Sequence, residues 1–274
     1  ESLMSLLLKI DKSAVSTEMT LSLAGFQKRL GLDATGVYRR VVGQRGDADA
    51  QPLRDAVKVL NNLGVKFGYL AEEEPCCGGL LYYVGLRKEF AKHAQGVSDQ
   101  LKSRGVKRII SIVPSCTYTL GHLIDSGVEG GDLEVRHFCQ VVAENISAGE
   151  LRFPREVKVT YHDPCQLVRY LGLVEEPRQI LNAIKGIKLV ETEWTKGEWA
   201  TCCGGGGGFE AVFPELSQIL GVNRAKELLE TGAEMIVTHC PGCILQLRTA
   251  LKELKVNSVQ VLDLAQVIAM AMET

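Results

Sequence analysis

Apolar and polar positions along this chain follow two rhythms in turn, a strand-like one and a helical one, and the succession occurs twice. In the C-terminal half, Val157-Lys-Val-Thr-Tyr-His162 is a short β-rich run, followed by Asp163-Pro-Cys165. A helical stretch follows Pro177, with Ile180, Leu181 and Ile184 at helix spacing, and Ile187–Val190 reads as a strand. Cys202-Cys203 and the glycines Gly204 to Gly208 come next. A long amphipathic segment then bears Leu216, Ile219, Leu220, Leu228 and Leu229 and is stopped by Gly232. The strand Met235-Ile-Val-Thr238 leads to Cys240-Pro-Gly-Cys243, and Leu245, Leu247 and Leu251 suggest a further helix.

The N-terminal half repeats this order. Pro52 opens a helical pattern through Val57 and Leu60, and Gly64-Val-Lys-Phe-Gly-Tyr-Leu70 reads as a strand. Cys76-Cys77-Gly-Gly follows, then a helix with Phe90, Ala94, Val97 and Leu101 on one face, stopped by Gly105. The strand Ile109–Val113 runs into Pro114-Ser-Cys116. The second cysteine of each vicinal pair precedes Cys116 by 39 residues and Cys243 by 40, so the halves agree in spacing as well as order. Strands alternating with helices predict an α/β fold, because parallel neighbours need a crossover helix. The expectation is two pseudo-symmetric Rossmann-like lobes, each a small parallel sheet flanked by helices, with the site in loops at strand ends. Residues 1–40 read as an N-terminal extension or linker, 41–150 as the first repeat and 151–274 as the second, with the boundary near Gly149–Pro154.

Composition narrows the function classes. The chain has 274 residues, 46% of them hydrophobic, and a formal charge of −2, which gives no electrostatic reason to expect nucleic acid or anionic lipid as a partner. No apolar run reaches the roughly 18 residues that cross a bilayer, and the opening segment lacks the basic region and cleavage site of a signal peptide. Nine cysteines, an odd count in a long chain, speak against a secreted disulfide scaffold and for a reduced compartment. A cytoplasmic protein is expected, associated with a membrane only through partners.

The second half carries the pattern C-x36-CC-x36-C-x2-C on Cys165, Cys202, Cys203, Cys240 and Cys243. Soft thiolates select zinc or iron–sulfur among common metals. Five unpaired thiols are hard to motivate by packing alone, and zinc wants four ligands rather than five. An iron–sulfur cluster fits best, with zinc and buried thiols as the alternatives. Gly204, Gly205 and Gly206 would let backbone approach a bulky inorganic ligand and point N–H groups at its sulfides. The run lacks the Lys-Ser/Thr of a phosphate loop. His162 and His239 stand beside the cysteine motifs. Each is a candidate to deliver a proton to a leaving thiolate, and each can equally orient a loop by hydrogen bonding. His93, His122 and His137 read as surface or helix-face residues, Cys139 as a buried thiol, and Glu72-Glu73-Glu74 as a solvated loop.

The motifs His162-Asp-Pro-Cys165, Cys202-Cys203-Gly204 and Cys240-Pro-Gly-Cys243 resemble the CCG cysteine-rich domain family, in particular the B- and D-type subunits of heterodisulfide reductase and DsrK-type subunits. The resemblance covers roughly residues 40 to 270. It implies a non-cubane 4Fe–4S cluster on the five C-terminal cysteines, at which a thiol or disulfide is oxidised or reduced. It further implies a ferredoxin-like iron–sulfur subunit as electron partner, with a flavin or membrane quinone subunit behind it. In the first repeat only Cys76, Cys77 and Cys116 match. Gln44 and Val113 stand where the other two cysteines are expected, so any second centre there is an incomplete iron–sulfur or zinc site. Rival readings are an electron relay in a quinone-linked dehydrogenase and a zinc-stabilised structural subunit.

Overall fold

The computed structural model describes residues 50–124, 133–147 and 151–273. The expectations for residues 1–40, Gln44 and Gly149 lie outside the described residues. Residues 52–274 form one compact unit.

The chain enters through helix α1 (Gln51–Asn62), which buries Ala56, Val59 and Leu60. Two helices follow, α2 (Gly79–Tyr83) and α3 (Arg87–Ser103). Helix α3 buries Phe90, Ala94, Val97 and Leu101 as its periodicity predicts, and Gly105 past its end takes a positive φ of 67°. Strand β1 (Arg108–Ser111) delivers the chain to α4 (Pro114–Tyr118), which continues as a π-helical turn over Thr119–Ile124. Strand β2 (Glu134–His137) pairs with β1 in parallel, Arg108 against Glu134 through Ser111 against His137, and runs into α5 (Phe138–Asn145).

The second half opens with β3 (Arg152–Tyr161), a π-helical turn at Gln166–Tyr170, α6 (Glu175–Ala183) and β4 (Lys185–Leu189). After the glycine loop come α7 (Phe209–Val212), α8 (Pro214–Leu229), β5 (Met235–Thr238), α9 (Pro241–Glu253), β6 (Gln260–Asp263) and α10 (Leu264–Met272). The four strands form a parallel sheet in the order β4-β3-β5-β6. The expected α/β architecture of two small parallel sheets flanked by helices is present.

The duplication is visible in the caps. His137 ends β2 and caps α5: its Nδ1 accepts from Cys139 N–H, and the Gln140 side chain accepts from His137 N–H at 2.9 Å. Asp263 ends β6 and caps α10 in the same way, accepting from Ala265 N–H at 2.8 Å, while Gln266 accepts from Asp263 N–H at 3.0 Å. Helices α1, α5, α6 and α10 share one apolar core with β3, and α8 and α9 share another with Cys203, Ile236 and Val261.

Three expectations are corrected. Residues 64–70 form no strand: Phe67 is 39% and Tyr69 66% exposed, so the alternating pattern has no buried face to hold it in a sheet. Helix α8 does not turn Leu216 and Ile219 inward; they are exposed, and the buried stripe is Ser217, Gly221, Arg224, Ala225 and Leu228. At Ser217 and Gly221 its neighbour is the loop of Cys203 and Gly204, whose close approach admits only small side chains. His137 is no surface residue but wholly buried, because its ring packs at 4.9 Å from that of His239.

Candidate metal centre

Strand order places the site. The chain leaves β3 for β4 on one side of the sheet and returns to β5 on the other, so the loops after β3 and β5 diverge and leave a crevice at their carboxyl ends. Cys165 follows β3 and Cys240 follows β5. His162 N–H extends the pairing past β3 by donating to Val237 O at 2.8 Å, which fixes the two loops against each other.

The five thiols of the second half gather into one set. Cys203 Sγ lies 3.2 Å from Cys243 Sγ, and the others are near enough to act on a neighbour's acidity, Cys165 on Cys202, Cys202 on Cys203 and Cys243 on Cys240. The proximity disperses their acidities. Hydrogen bonding from Cys165, then from Cys203, holds Cys202 far below the usual thiol range, and Cys243 brings Cys240 down to about 7. Their partners Cys165, Cys203 and Cys243 are pushed up, first by those same contacts and then by burial. A thiol set that already shares protons in this way releases them when a metal binds. Cys203 and Cys243 are buried, whereas Cys165, Cys202 and Cys240 are partly exposed.

The glycine loop wraps around two of these sulfurs. Gly204 has φ +79°, its N–H faces Cys202 Sγ at 3.3 Å, and an added Cβ would sit 2.3 Å from Ser217 O of α8. A Cβ added at Gly205 would sit 3.0 Å from Gly242 O of α9, a looser but still tight approach. Gly206 takes φ +93°, and its N–H donates to Glu210 Oε2 at 2.9 Å. The close approach that demands glycine at 204 and 205 is therefore to the two helices behind the loop.

Buried polar groups support the thiols from below. Asp163 accepts both guanidinium N–H groups of Arg178 at 2.9 Å and Gly197 N–H at 2.8 Å, which pins the loop that ends at Cys165. Arg224 is fully buried on α8 and donates from Nε to His162 Nδ1 at 3.1 Å, while its Nη1 meets Thr195 O and Glu227 Oε2. His162, Cys203 and Cys243 are, among the described residues, the one set of three metal-binding side chains whose donor atoms all lie within 4.8 Å of one another. Burial, and then the Arg224 charge, lower His162 to about 3, so its ring is neutral. With Nδ1 accepting, the proton sits on Nε2, which has no partner in the protein. His239 Nδ1 bonds to Asp263 Oδ1 at 2.7 Å and leaves its own Nε2 unpartnered. Arg224 Nη2 is a second buried donor without an acceptor. Buried donors are almost always satisfied, so two beside one thiol set fit an acceptor-rich group between them.

In the first repeat, Cys77 Sγ lies 3.2 Å from Cys116 Sγ, and Cys76 is exposed. The Cys116 contact, with help from Gly79, Thr119 and His93, lowers Cys77 to about 6. His93 Nε2 is engaged with Cys76 O at 2.7 Å. Val113 caps α4 with its backbone and offers no ligand. Cys139 is buried against His137 Nδ1 at 3.1 Å, as a thiol that burial pushes up. Glu72 to Glu74 are exposed.

Sequence reasoning missed Asp163, Arg178, Arg224 and His137 as elements of the site. The signal for Arg224 was a stripe of small residues, Ser217 and Gly221, continued by an arginine at helical spacing.

Comparison with known proteins agrees with this geometry. The CCG cysteine-rich domain matches residues 43–121 and 159–248, more than half of the chain. The chain is 34% identical over 225 residues to the D subunit of the dihydromethanophenazine:CoB–CoM heterodisulfide reductase of Methanosarcina barkeri, covering 78% of this chain and 54% of that protein. It is 36% identical over 227 residues to EtfAB:quinone oxidoreductase of Syntrophomonas wolfei, covering 79% of this chain and 31% of that one. The chain thus spans about half, or less, of the length of these relatives. A hypothetical protein of Helicobacter pylori shares the fold over 81% of this chain and 46% of its own, with a TM-score of 0.57 at 15% identity. No helix among the described residues is long and apolar enough to cross a membrane. These matches and the paired cysteine loops establish that the chain belongs to the CCG cysteine-rich domain family, whose members related to it include iron–sulfur oxidoreductase subunits.

Proposed function

We propose that this chain is the cluster-bearing component of a heterodisulfide-reductase-type oxidoreductase. Cys165, Cys202, Cys203, Cys240 and Cys243 would hold a non-cubane 4Fe–4S cluster. The observation that carries this reading is the gathering of five thiols at the switch point of a parallel sheet, with Cys203 and Cys243 in contact, backed by buried N–H donors that lack acceptors. Such a cluster supplies one-electron transfer and a soft site for sulfur ligands.

The protein's own groups then divide the work. His162 Nε2–H is a fixed hydrogen-bond donor toward the sulfurs, since its depressed pKa keeps the ring from carrying a second proton. His239, with Nδ1 tied to Asp263, is the better group to take and give a proton at Nε2. Gly204 N–H directs a further dipole at Cys202. Val212, Phe213, Leu216 and Ile219 are all exposed on α7 and α8, an apolar surface suited to a partner subunit that exchanges electrons with the centre. A ferredoxin-like subunit is the first partner expected, with a flavin or quinone-linked subunit behind it and a thiol or disulfide as substrate.

A second reading, a pure electron relay, is favoured by the burial of Cys203 and Cys243. Anaerobic iron and sulfide analysis with EPR decides among the readings. About four iron and four labile sulfides per chain, and an oxidised signal that changes on adding a thiol and is lost in Cys203→Ser, support substrate chemistry. A spectrum indifferent to every thiol supports the relay. Stoichiometric zinc without sulfide refutes both.

A further inference from the structure

The first repeat keeps its vicinal cysteines and Cys116 but not the surroundings that make a metal site in the second. Cys77 and Cys116 face each other at 3.2 Å, the same separation as Cys203 and Cys243. In the second repeat a third donor, His162, closes on that pair, and among the described residues no third His, Cys, Asp or Glu does so around Cys77 and Cys116. Val113 fills the position that Cys240 holds, and His93 is already bonded to Cys76 O. What remains is a facing pair of thiols, each only partly buried.

We propose that Cys77 and Cys116 form a redox-active dithiol that exchanges with small-molecule disulfides, separately from the C-terminal thiol set. Small side-chain rotations bring the two sulfurs from 3.2 Å to the ~2.05 Å of a disulfide. Cys77 is the attacking sulfur, because the Cys116 thiol 3.2 Å away is placed to hold it as a thiolate. The Cys77 thiolate attacks one sulfur of R–S–S–R, forming a Cys77–S–S–R bond and releasing one thiolate, which is protonated to RSH. Cys116, losing its proton, then attacks Cys77 Sγ, forming the Cys77–Cys116 bond and releasing the second RSH. The protein loses two electrons and two protons, and the small disulfide gains them. Excess thiol drives the same steps backward, so no further reductant is needed.

The test equilibrates the anaerobically purified full chain in buffers of reduced and oxidised glutathione, followed by acid quench, alkylation and peptide mapping. The expected result is that the Cys77 and Cys116 peptides become linked in one cooperative transition as the buffer turns oxidising. The link is lost in Cys77→Ser and in Cys116→Ser, and Cys116→Ser instead accumulates glutathione on Cys77. Iron and zinc per chain stay at the wild-type value in Cys77→Ser. The proposal is overturned if both thiols remain alkylable across all buffers, if Cys77 links to a C-terminal cysteine instead, or if Cys77→Ser loses bound metal. Failure of the cluster reading would appear in the iron and sulfide of Cys203→Ser, which none of these peptide measurements reports.

Discussion

Arg224 Nε donates to His162 Nδ1 at 3.1 Å, with both side chains at 1% exposure or less. This contact leaves the ring proton on Nε2, which has no partner in the protein. It also places a buried positive charge behind a histidine with a ring nitrogen within 4.8 Å of Cys203 and Cys243 Sγ. The two consequences pull together, since a hydrogen bond to a cluster sulfur and a nearby cation each favour the reduced, more negative state.

Replacing His162 by Leu removes that donor. A hydrogen bond worth about 1 kcal/mol corresponds to roughly 40 mV for a one-electron couple, so the midpoint potential of the bound centre should fall by about that much. An EPR-monitored redox titration measures it. Arg224→Lys should shift the potential in the same direction, because the planar fork that holds His162 is lost. An unchanged potential in both variants would remove His162 from the centre.

Asp163→Asn leaves the buried Arg178 guanidinium with Glu191 as its remaining carboxylate. Breaking a wholly isolated buried pair costs about 3 kcal/mol, so a loss below that is expected, and the loop that delivers Cys165 is held less firmly on Arg178 and Gly197 N–H. Thermal unfolding should shift down by several degrees, and less iron should be retained after desalting. The conservative Arg178→Lys should give an intermediate result.

Gly204→Ala meets two obstacles at once, a φ of +79° and a carbonyl 2.3 Å from the new methyl. A loss of at least about 2 kcal/mol is expected. Gly206→Ala has a similar φ but no neighbour within 4 Å, so chemical denaturation should show the smaller loss there. Equal losses would mean that backbone conformation alone, not contact with α8, demands glycine at 204.

His137 is buried, and burial followed by the neighbouring His239 lowers its pKa well below 6.5. The folded state therefore keeps it neutral while the unfolded chain takes up a proton below about pH 6.5. Its contribution is full above that value and is lost as pH falls, by up to about 1.4 kcal/mol per pH unit. His137→Asn keeps a capping side chain and removes the titration. Between pH 7.5 and 5, unfolding free energies should fall less steeply in the variant than in the wild type.

The cysteine spacing, the recurrence of strand and helix, and the incompleteness of the first set were all legible in the sequence, because each is a local pattern or a count. Local periodicity also found α3 and α6, whose apolar residues lie on single faces, and the apolar run of β5. It failed where the packing partner was unusual. Helix α8 sets Ser217 and Gly221 inward because the glycine loop comes too close for leucine, and it sets Arg224 inward on His162 and Thr195. Residues 64–70 have strand-like alternation without a sheet to join.

By itself, then, the sequence determined that cysteine motifs follow the strands of a duplicated α/β unit, five thiols and a glycine loop in the second copy and three thiols in the first. Only the tertiary structure decided which sulfurs meet, since the order β4-β3-β5-β6 opens the crevice between the loops of Cys165 and Cys240. It also decided that Arg224 and Asp263, 62 and 24 residues from the histidines they hold, belong to the site. Such contacts depend on how helices and strands pack across the sheet, and no spacing along the chain encodes that distance.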